Sequence, residues 1–146
     1  CNGLTGVWRA AQAGVDSIEH GQFNDVNDPL VEKSLRMMVD KGIFLVPTLS
    51  AFFKNYNKAE VVNDYKAVLD SFSLALQHGV KIALGNDSGC PFVGHETTPK
   101  ELIHMAEAGM KPMDVLLAGT RNASGLQGVD AVAGTLEEGK FADYLV

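Results

Sequence analysis

The sequence predicts an α/β fold built around a parallel β-sheet, and three observations carry that prediction. Three short β-type runs, at 15–18, 43–46 and 81–84, are separated by longer segments with apolar residues at helical spacing. The middle run, Ile43-Phe44-Leu45-Val46, is apolar throughout, as a strand covered on both faces requires. Strands that alternate with helices in this way are joined by right-handed crossovers and lie parallel in one sheet.

Taken in order, Asn2 to Gly6 reads as a loop entering a helix, with Thr5 as the N-cap, and Val7, Trp8, Ala10 and Ala11 form its apolar stripe up to Ala13-Gly14. The strand at 15–18 ends at Glu19-His20-Gly21. A turn-rich stretch then reaches Asp28-Pro29, a helix start because proline suits the first helical turn. Leu30, Leu35, Met38 and Val39 share a face of the helix that follows, which Lys41-Gly42 closes. After the middle strand, Pro47-Thr48-Leu49 breaks the run. Residues 58–78 repeat apolar side chains at helical spacing and stop at His78-Gly79. The third strand runs into Gly85-Asn86-Asp87-Ser88-Gly89. Two helices are expected next, from Pro99 to Ala108 and from Pro112 to about Gly119, then a hairpin at 133–146 that turns at Glu138-Gly139-Lys140.

Composition narrows the function classes. A net charge of −6, a pI near 5.1 and no basic cluster argue against a nucleic-acid surface. The longest apolar stretches are strand-sized, well short of the roughly 20 residues that span a bilayer, and no secretory leader opens the chain. Cys1 and Cys90 make no disulfide framework and read as thiols in a reducing compartment, so a cytoplasmic location is expected.

Two strand ends deliver a metal-capable side chain followed closely by glycine: His20-Gly21, and Asp87-Ser88-Gly89. Histidine and aspartate at the ends of neighbouring strands are how a (β/α) barrel builds a metal-assisted hydrolytic site. Two donors do not hold a catalytic zinc by themselves. Three strands are also too few to close a barrel, which takes about eight, and an open sheet leaves two unpaired edges. The expected complement is a missing N-terminal half or another chain, so an oligomer is expected if the chain stands alone.

An ordered set of segments resembles the metal-dependent amidohydrolase superfamily, in its dipeptidase and imidazolonepropionase-like branch. The matching stretches are A-A-Q-A-G-V-D-S-I-E-H-G from Ala10 to Gly21, Val46-Pro47-Thr48-Leu49, L-G-N-D-S-G from Leu84 to Gly89, and most of Glu101 to Val146. That last block includes Ala108-Gly109-Met110, Ala118-Gly119-Thr120-Arg121-Asn122-Ala123 and G-T-L-E-E-G-K-F-A-D from Gly134 to Asp143. The resemblance implies the C-terminal part of a (β/α)8 TIM-type barrel. Residues 1–130 would hold strands six to eight with their helices, and residues 131–146 would begin the C-terminal part of a small β-sandwich. The family's first-strand His-x-His pair, its fourth-strand carboxylated lysine and its fifth-strand histidine have no counterpart here.

The resemblance implies zinc, one or two divalent ions, and a small amide or dipeptide substrate cleaved at a C–N bond. His20 would be a metal ligand. Asp87 would be both a ligand and the general base that takes a proton from the attacking water and returns it to the leaving amine. His95 matches a family histidine six residues before the Glu-Leu of the next helix, and with Thr48 and Ser88 it is a substrate-contact candidate; Ser88 is also placed to hydrogen-bond the aspartate. Asn86 stands where the family usually has threonine. Phe52, Phe53 and Tyr56 would wall an apolar leaving group, while Glu19, His78 and His104 read as structural or solvated. Hydrolytic deamination on the same scaffold and a non-catalytic relic of the barrel are the competing readings.

Overall fold

The computed structural model describes residues 1–53, 62–90 and 93–144. The expected helix start at 58–61, the side chain of Phe53 and Tyr56 lie outside the described part. Three strands, β1 (Ser17–Glu19), β2 (Phe44–Val46) and β3 (Lys81–Ile82), form a parallel sheet in the order β1-β2-β3. Ile18 pairs with Leu45 and Leu45 with Ile82, so one row of apolar residues crosses the sheet. Single hydrogen bonds lengthen the ladder at both ends of β2, from Phe44 N to Asp16 O (3.0 Å) and from His20 N to Val46 O (2.9 Å).

The helices are α1 (Leu4–Ala13), α2 (Pro29–Lys41), α3 (Leu49–Phe53), α4 (Val62–His78), α5 (Thr98–Glu107), α6 (Pro112–Leu117) and α7 (Ala123–Leu126). The Asp28 carboxylate accepts from Leu30 N at 2.8 Å and caps α2 as its sequence predicts. Its buried stripe is Val31, Leu35 and Met38, at spacings of four and three, while Val39 stays 42% exposed. Thr5 does not cap α1. The cap is Gly3, whose N–H is already taken by Gln22 O at 3.0 Å, and this parallel bridge between Asn2 and Gln22 fixes where the helix starts. Ile18, Leu45 and Ile82 from the strands pack with Val7, Ala11, Leu35, Met38, Phe72 and Met105 from the helices into one apolar core.

Two regions depart from the sequence reading. The helix opened by Pro112 does not stop near Gly119; it passes through a π-helical turn at Ala118–Asn122 and continues as α7. The wide turn places Ala118 O on Leu84 N (3.0 Å) and Asn122 Nδ2 on Ile82 O (2.8 Å), so it satisfies the outer edge of β3. The hairpin expected at 133–146 is not formed among the described residues. Residues 131–144 make turns, with Lys140 N on Glu137 O at 3.2 Å, and leave Leu136 74% and Phe141 63% exposed. A two-stranded ribbon has little stability without a further layer to bury its apolar face, and none covers these side chains.

Two glycines let the strand-end loops close onto β2. A Cβ on Gly21 would lie 2.4 Å from Leu45 Cδ1, on a backbone at φ +63°, and one on Gly85 would lie 2.6 Å from Val46 Cγ1. Replacing Gly21 by alanine therefore adds both a steric overlap and a strained backbone. Gly21→Ala in the completed protein is expected to cost about 2 kcal/mol, read as a lower urea midpoint with an unchanged slope.

Candidate active site

Three non-glycine residues have positive φ, His20 (68°), Thr48 (50°) and Asp87 (57°), and each follows the C-terminal end of a different strand. Left-handed backbone is uncommon for any L-residue and unfavourable for β-branched threonine. Such conformations gather where a fold must aim a side chain, and they persist because surrounding bonds impose them. Parallel strands bring all three to one rim of the sheet. His20 and Asp87 are not on adjacent strands, since β2 and its Thr48 stand between them.

Thr48 determines the protonation of the histidine. Its hydroxyl donates to Pro47 O at 2.8 Å, and a carbonyl can only accept. Its single proton is thereby used, so the 2.7 Å contact between Thr48 Oγ1 and His20 Nδ1 has the imidazole N–H as donor. The network assigns the Nδ1–H tautomer and leaves the lone pair on Nε2. Burial holds His20 below the ordinary histidine pKa, and the Asp87 and Glu19 carboxylates oppose it. Burial favours neutral imidazole. Phe52 packs its ring edge-to-face against His20, with centroids 6.0 Å apart at 83°.

Asp87 is exposed on the loop after β3, and its neighbours tie that loop down. Asn86 is buried, with Nδ2 donating to Thr97 Oγ1 and Thr98 Oγ1, both at 3.0 Å, and Oδ1 accepting from Ser88 Oγ at 2.8 Å. The two threonine hydroxyls donate to Gly94 O and His95 O, so their oxygens can only accept from Asn86, which fixes the orientation of its amide. Ser88 spends its one proton on Asn86; the expected donation from Ser88 to Asp87 is not made.

A further carboxylate supports the rim from below. Glu101, on α5, is fully buried and accepts from Leu49 N at 2.6 Å and Ser50 N at 2.7 Å, the two amides that follow Thr48. Desolvation raises its pKa, and contacts from Ser50 and Leu49 oppose the rise. Sequence reading took Glu101 only as part of a motif; its signal was a carboxylate on the α5 face that also carries Met105, and its partners lie about 50 residues away.

The remaining candidates are dispersed. His95 is exposed and opens a short 3₁₀ turn, His95–Thr97, in the loop beyond β3. Glu19 accepts from Ser17 Oγ at 2.6 Å on the exposed face of β1. His78 Nδ1 bonds Leu74 O at 2.9 Å, and His104 lies 3.6 Å from Glu107 within α5. Cys1 is exposed and Cys90 partly so, neither in a disulfide. A cleft of about 510 Å³ lies at the opposite end of the strands, where Phe44 and Lys81 begin β2 and β3, away from His20 and Asp87.

Among the described residues no group of three or more His, Cys, Asp and Glu side chains could hold a metal ion. A neutral imidazole with its lone pair on Nε2 and an exposed carboxylate on one rim nevertheless suit zinc as part of a donor set. No described helix is long and apolar enough to cross a membrane.

Thr48→Val keeps the volume and removes the acceptor for His20 Nδ1–H. The ¹⁵N spectrum of the imidazole should change from a single Nδ1–H form to a mixture of tautomers; an unchanged spectrum would exclude Thr48 as the cause. Glu101 yields a pH prediction. A raised folded-state pKa means that the folded chain binds the extra proton, so stability falls as pH rises from the unfolded value through the folded one. Urea midpoints across that window should decline in the unmodified chain relative to Glu101→Gln.

The Amidohydrolase family model matches residues 2–146. No curated protein matches the chain. Among solved structures, a Xaa-Pro dipeptidase with bound methionine in the active site is 33% identical, with 96% of this chain and 36% of that one covered at a TM-score of 0.78. A prolidase of Bifidobacterium longum, itself described as putative, is 31% identical over 94% and 37% of the two chains at 0.77. The A. niger ochratoxinase is 32% identical over 94% and 32% at 0.77. The chain thus spans about a third of the length of the structures it matches. With nearly its whole length under one family model, the chain belongs to the amidohydrolase family.

Proposed function

We propose that this chain supplies the sixth, seventh and eighth strands of a (β/α)8 barrel whose completed form hydrolyses a C–N bond in a dipeptide, acyl-amino acid or cyclic amide. The observation that carries the reading is the shared rim on which His20, Thr48 and Asp87 stand with left-handed backbone. Support comes from the dipeptidase and prolidase-like proteins to which the chain is similar. The remaining donors and much of the substrate pocket come from the rest of the barrel or from another chain. Residues 131–146 would join the sandwich only when its other strands are present.

His20 and Asp87 would hold zinc, with one or two ions in the completed site. When bound, the ion supplies Lewis acidity, polarising the substrate carbonyl and drawing the pKa of a water towards about 7. Asp87 acts as general base, accepting a proton from the attacking water and delivering it to the departing amine nitrogen. Its exposed carboxylate, on a loop fixed through Asn86, is free to exchange that proton with a group entering from solvent. His20 keeps its Nδ1 proton on Thr48 and directs Nε2 chemistry at the site. Phe52, against the imidazole, gives the pocket an apolar wall, and His95, Thr48 and Ser88 lie on loops of the same rim as substrate-contact candidates.

Asp87→Asn in the completed, zinc-loaded protein should lower kcat by about 10²–10⁴-fold, while circular dichroism and the urea midpoint stay those of the unmodified protein. Chelation should abolish turnover and added zinc restore it. An amino acid as product supports amide cleavage, whereas ammonia identifies a deaminase. Retention of turnover within a factor of three in Asp87→Asn would remove this residue from the mechanism.

A further inference from the structure

Three loops leave the sheet at the candidate rim, and two of them are tied to one short stretch of chain. Glu101 receives the amides of Leu49 and Ser50, next to Thr48. Thr97 and Thr98 receive both protons of the Asn86 amide, next to Asp87. Glu101 is 0% exposed, Thr97 1% and Asn86 7%, so the bonds of Glu101 and the Asn86–Thr97 bond are shielded from water, while the Asn86–Thr98 bond is partly so. The tied stretch, residues 97–101, is the turn before α5 and the first turn of that helix. Its hydrogen bonds to the strand-end loops go to residues beside Thr48 and Asp87, and its threonines also bond Gly94 O and His95 O.

We propose that residues 97–101 form a positioning clamp that sets the separation of His20 and Asp87. The proposal rests on the reading of the rim as the active site. One arm runs from Glu101 through the Leu49 and Ser50 amides to Thr48, and from its hydroxyl to His20 Nδ1. The other runs from the Thr97 and Thr98 hydroxyls through Asn86 to Asp87. Glu101 gives each amide its own acceptor oxygen, Oε1 to Leu49 N and Oε2 to Ser50 N. The two threonine hydroxyls cannot turn to donate towards Asn86 without giving up Gly94 O and His95 O. Each arm is therefore directional, and a single helix turn joins them into one unit. Loss of either arm frees a strand-end residue whose left-handed backbone has no intrinsic preference to stay.

Two variants that preserve volume separate this role from simple packing. Glu101→Gln keeps one acceptor and sets an NH₂ group against a backbone N–H. Asn86→Asp sets an acceptor against two oxygens that have no proton to give. Both are tested in the completed zinc-loaded protein, on the dipeptide that the unmodified protein cleaves fastest in an X-Pro and acyl-amino acid panel. Each variant should lower kcat about 10- to 100-fold, the scale of an ångström-sized misplacement, with KM within threefold, zinc content retained and far-UV circular dichroism that of the folded protein. In Glu101→Gln the His20 Nδ1 proton should exchange at least tenfold faster than in the unmodified protein; in Asn86→Asp its exchange should not change. Equal effects of both variants on that proton, or kcat within threefold in both, would overturn the clamp. If one variant fails to fold, the other decides by the same criteria. If the unmodified protein cleaves nothing in the panel, the functional reading fails, and the exchange rates alone decide the clamp.

Discussion

Thr48 holds a β-branched side chain on a left-handed backbone at φ 50°, and the rest of the rim depends on how that conformation is imposed. Its hydroxyl donates back to Pro47 O, and the two amides beyond it go to Glu101. Without those bonds the residue would relax towards extended backbone, and its hydroxyl would turn away from His20. With them, Thr48 is an acceptor at a fixed point, 2.7 Å from Nδ1. Chirality, hydrogen-bond arithmetic and a buried carboxylate together decide which imidazole nitrogen carries a lone pair.

How much of this was legible in the sequence differs by distance along the chain. Local rules located the strands: the Ile43–Val46 run, the Asp28-Pro29 helix start and the glycine beside His20 act within a few residues of themselves. They also placed His20, Thr48 and Asp87 at strand ends, since each ends an apolar run. The same rules missed the contacts that hold those residues. Glu101 meets Leu49 and Ser50 across about 50 positions, and Asn122 reaches Ile82 across 40. Period and capping carry no information at that separation. The π turn at 118–122 was likewise hidden, because its cause is an edge of β3 that asks for partners, not a feature of its own residues.

The tail shows the opposite error. A turn signal at Glu138-Gly139-Lys140 was read as a hairpin, and the turn itself forms, but no strands flank it among the described residues. Local chemistry sets a turn; a ribbon also needs a surface to cover its apolar side. The sheet edges make the same point more favourably. β3 borrows Ala118 O and Asn122 from a helix, so its outer edge is partly satisfied from within the chain. The strands were predictable because their burial is local to the layered helices, whereas the tail's fate is set by what lies against it.

His20 and Asp87 also differ in their surroundings. His20 is half-buried, with its Nδ1 proton on Thr48 and its lone pair on Nε2, and burial lowers its pKa. Asp87 is exposed, and the loop that carries it is held through Asn86. Exchanging the two residues would break the contact at Thr48. An imidazole on the exposed loop would titrate with the solvent. A carboxylate locked on Thr48 would meet an oxygen whose only proton already belongs to Pro47, and two acceptors would face each other across 2.7 Å. Hydrogen-bond polarity at Thr48 therefore favours an imidazole over a carboxylate at position 20.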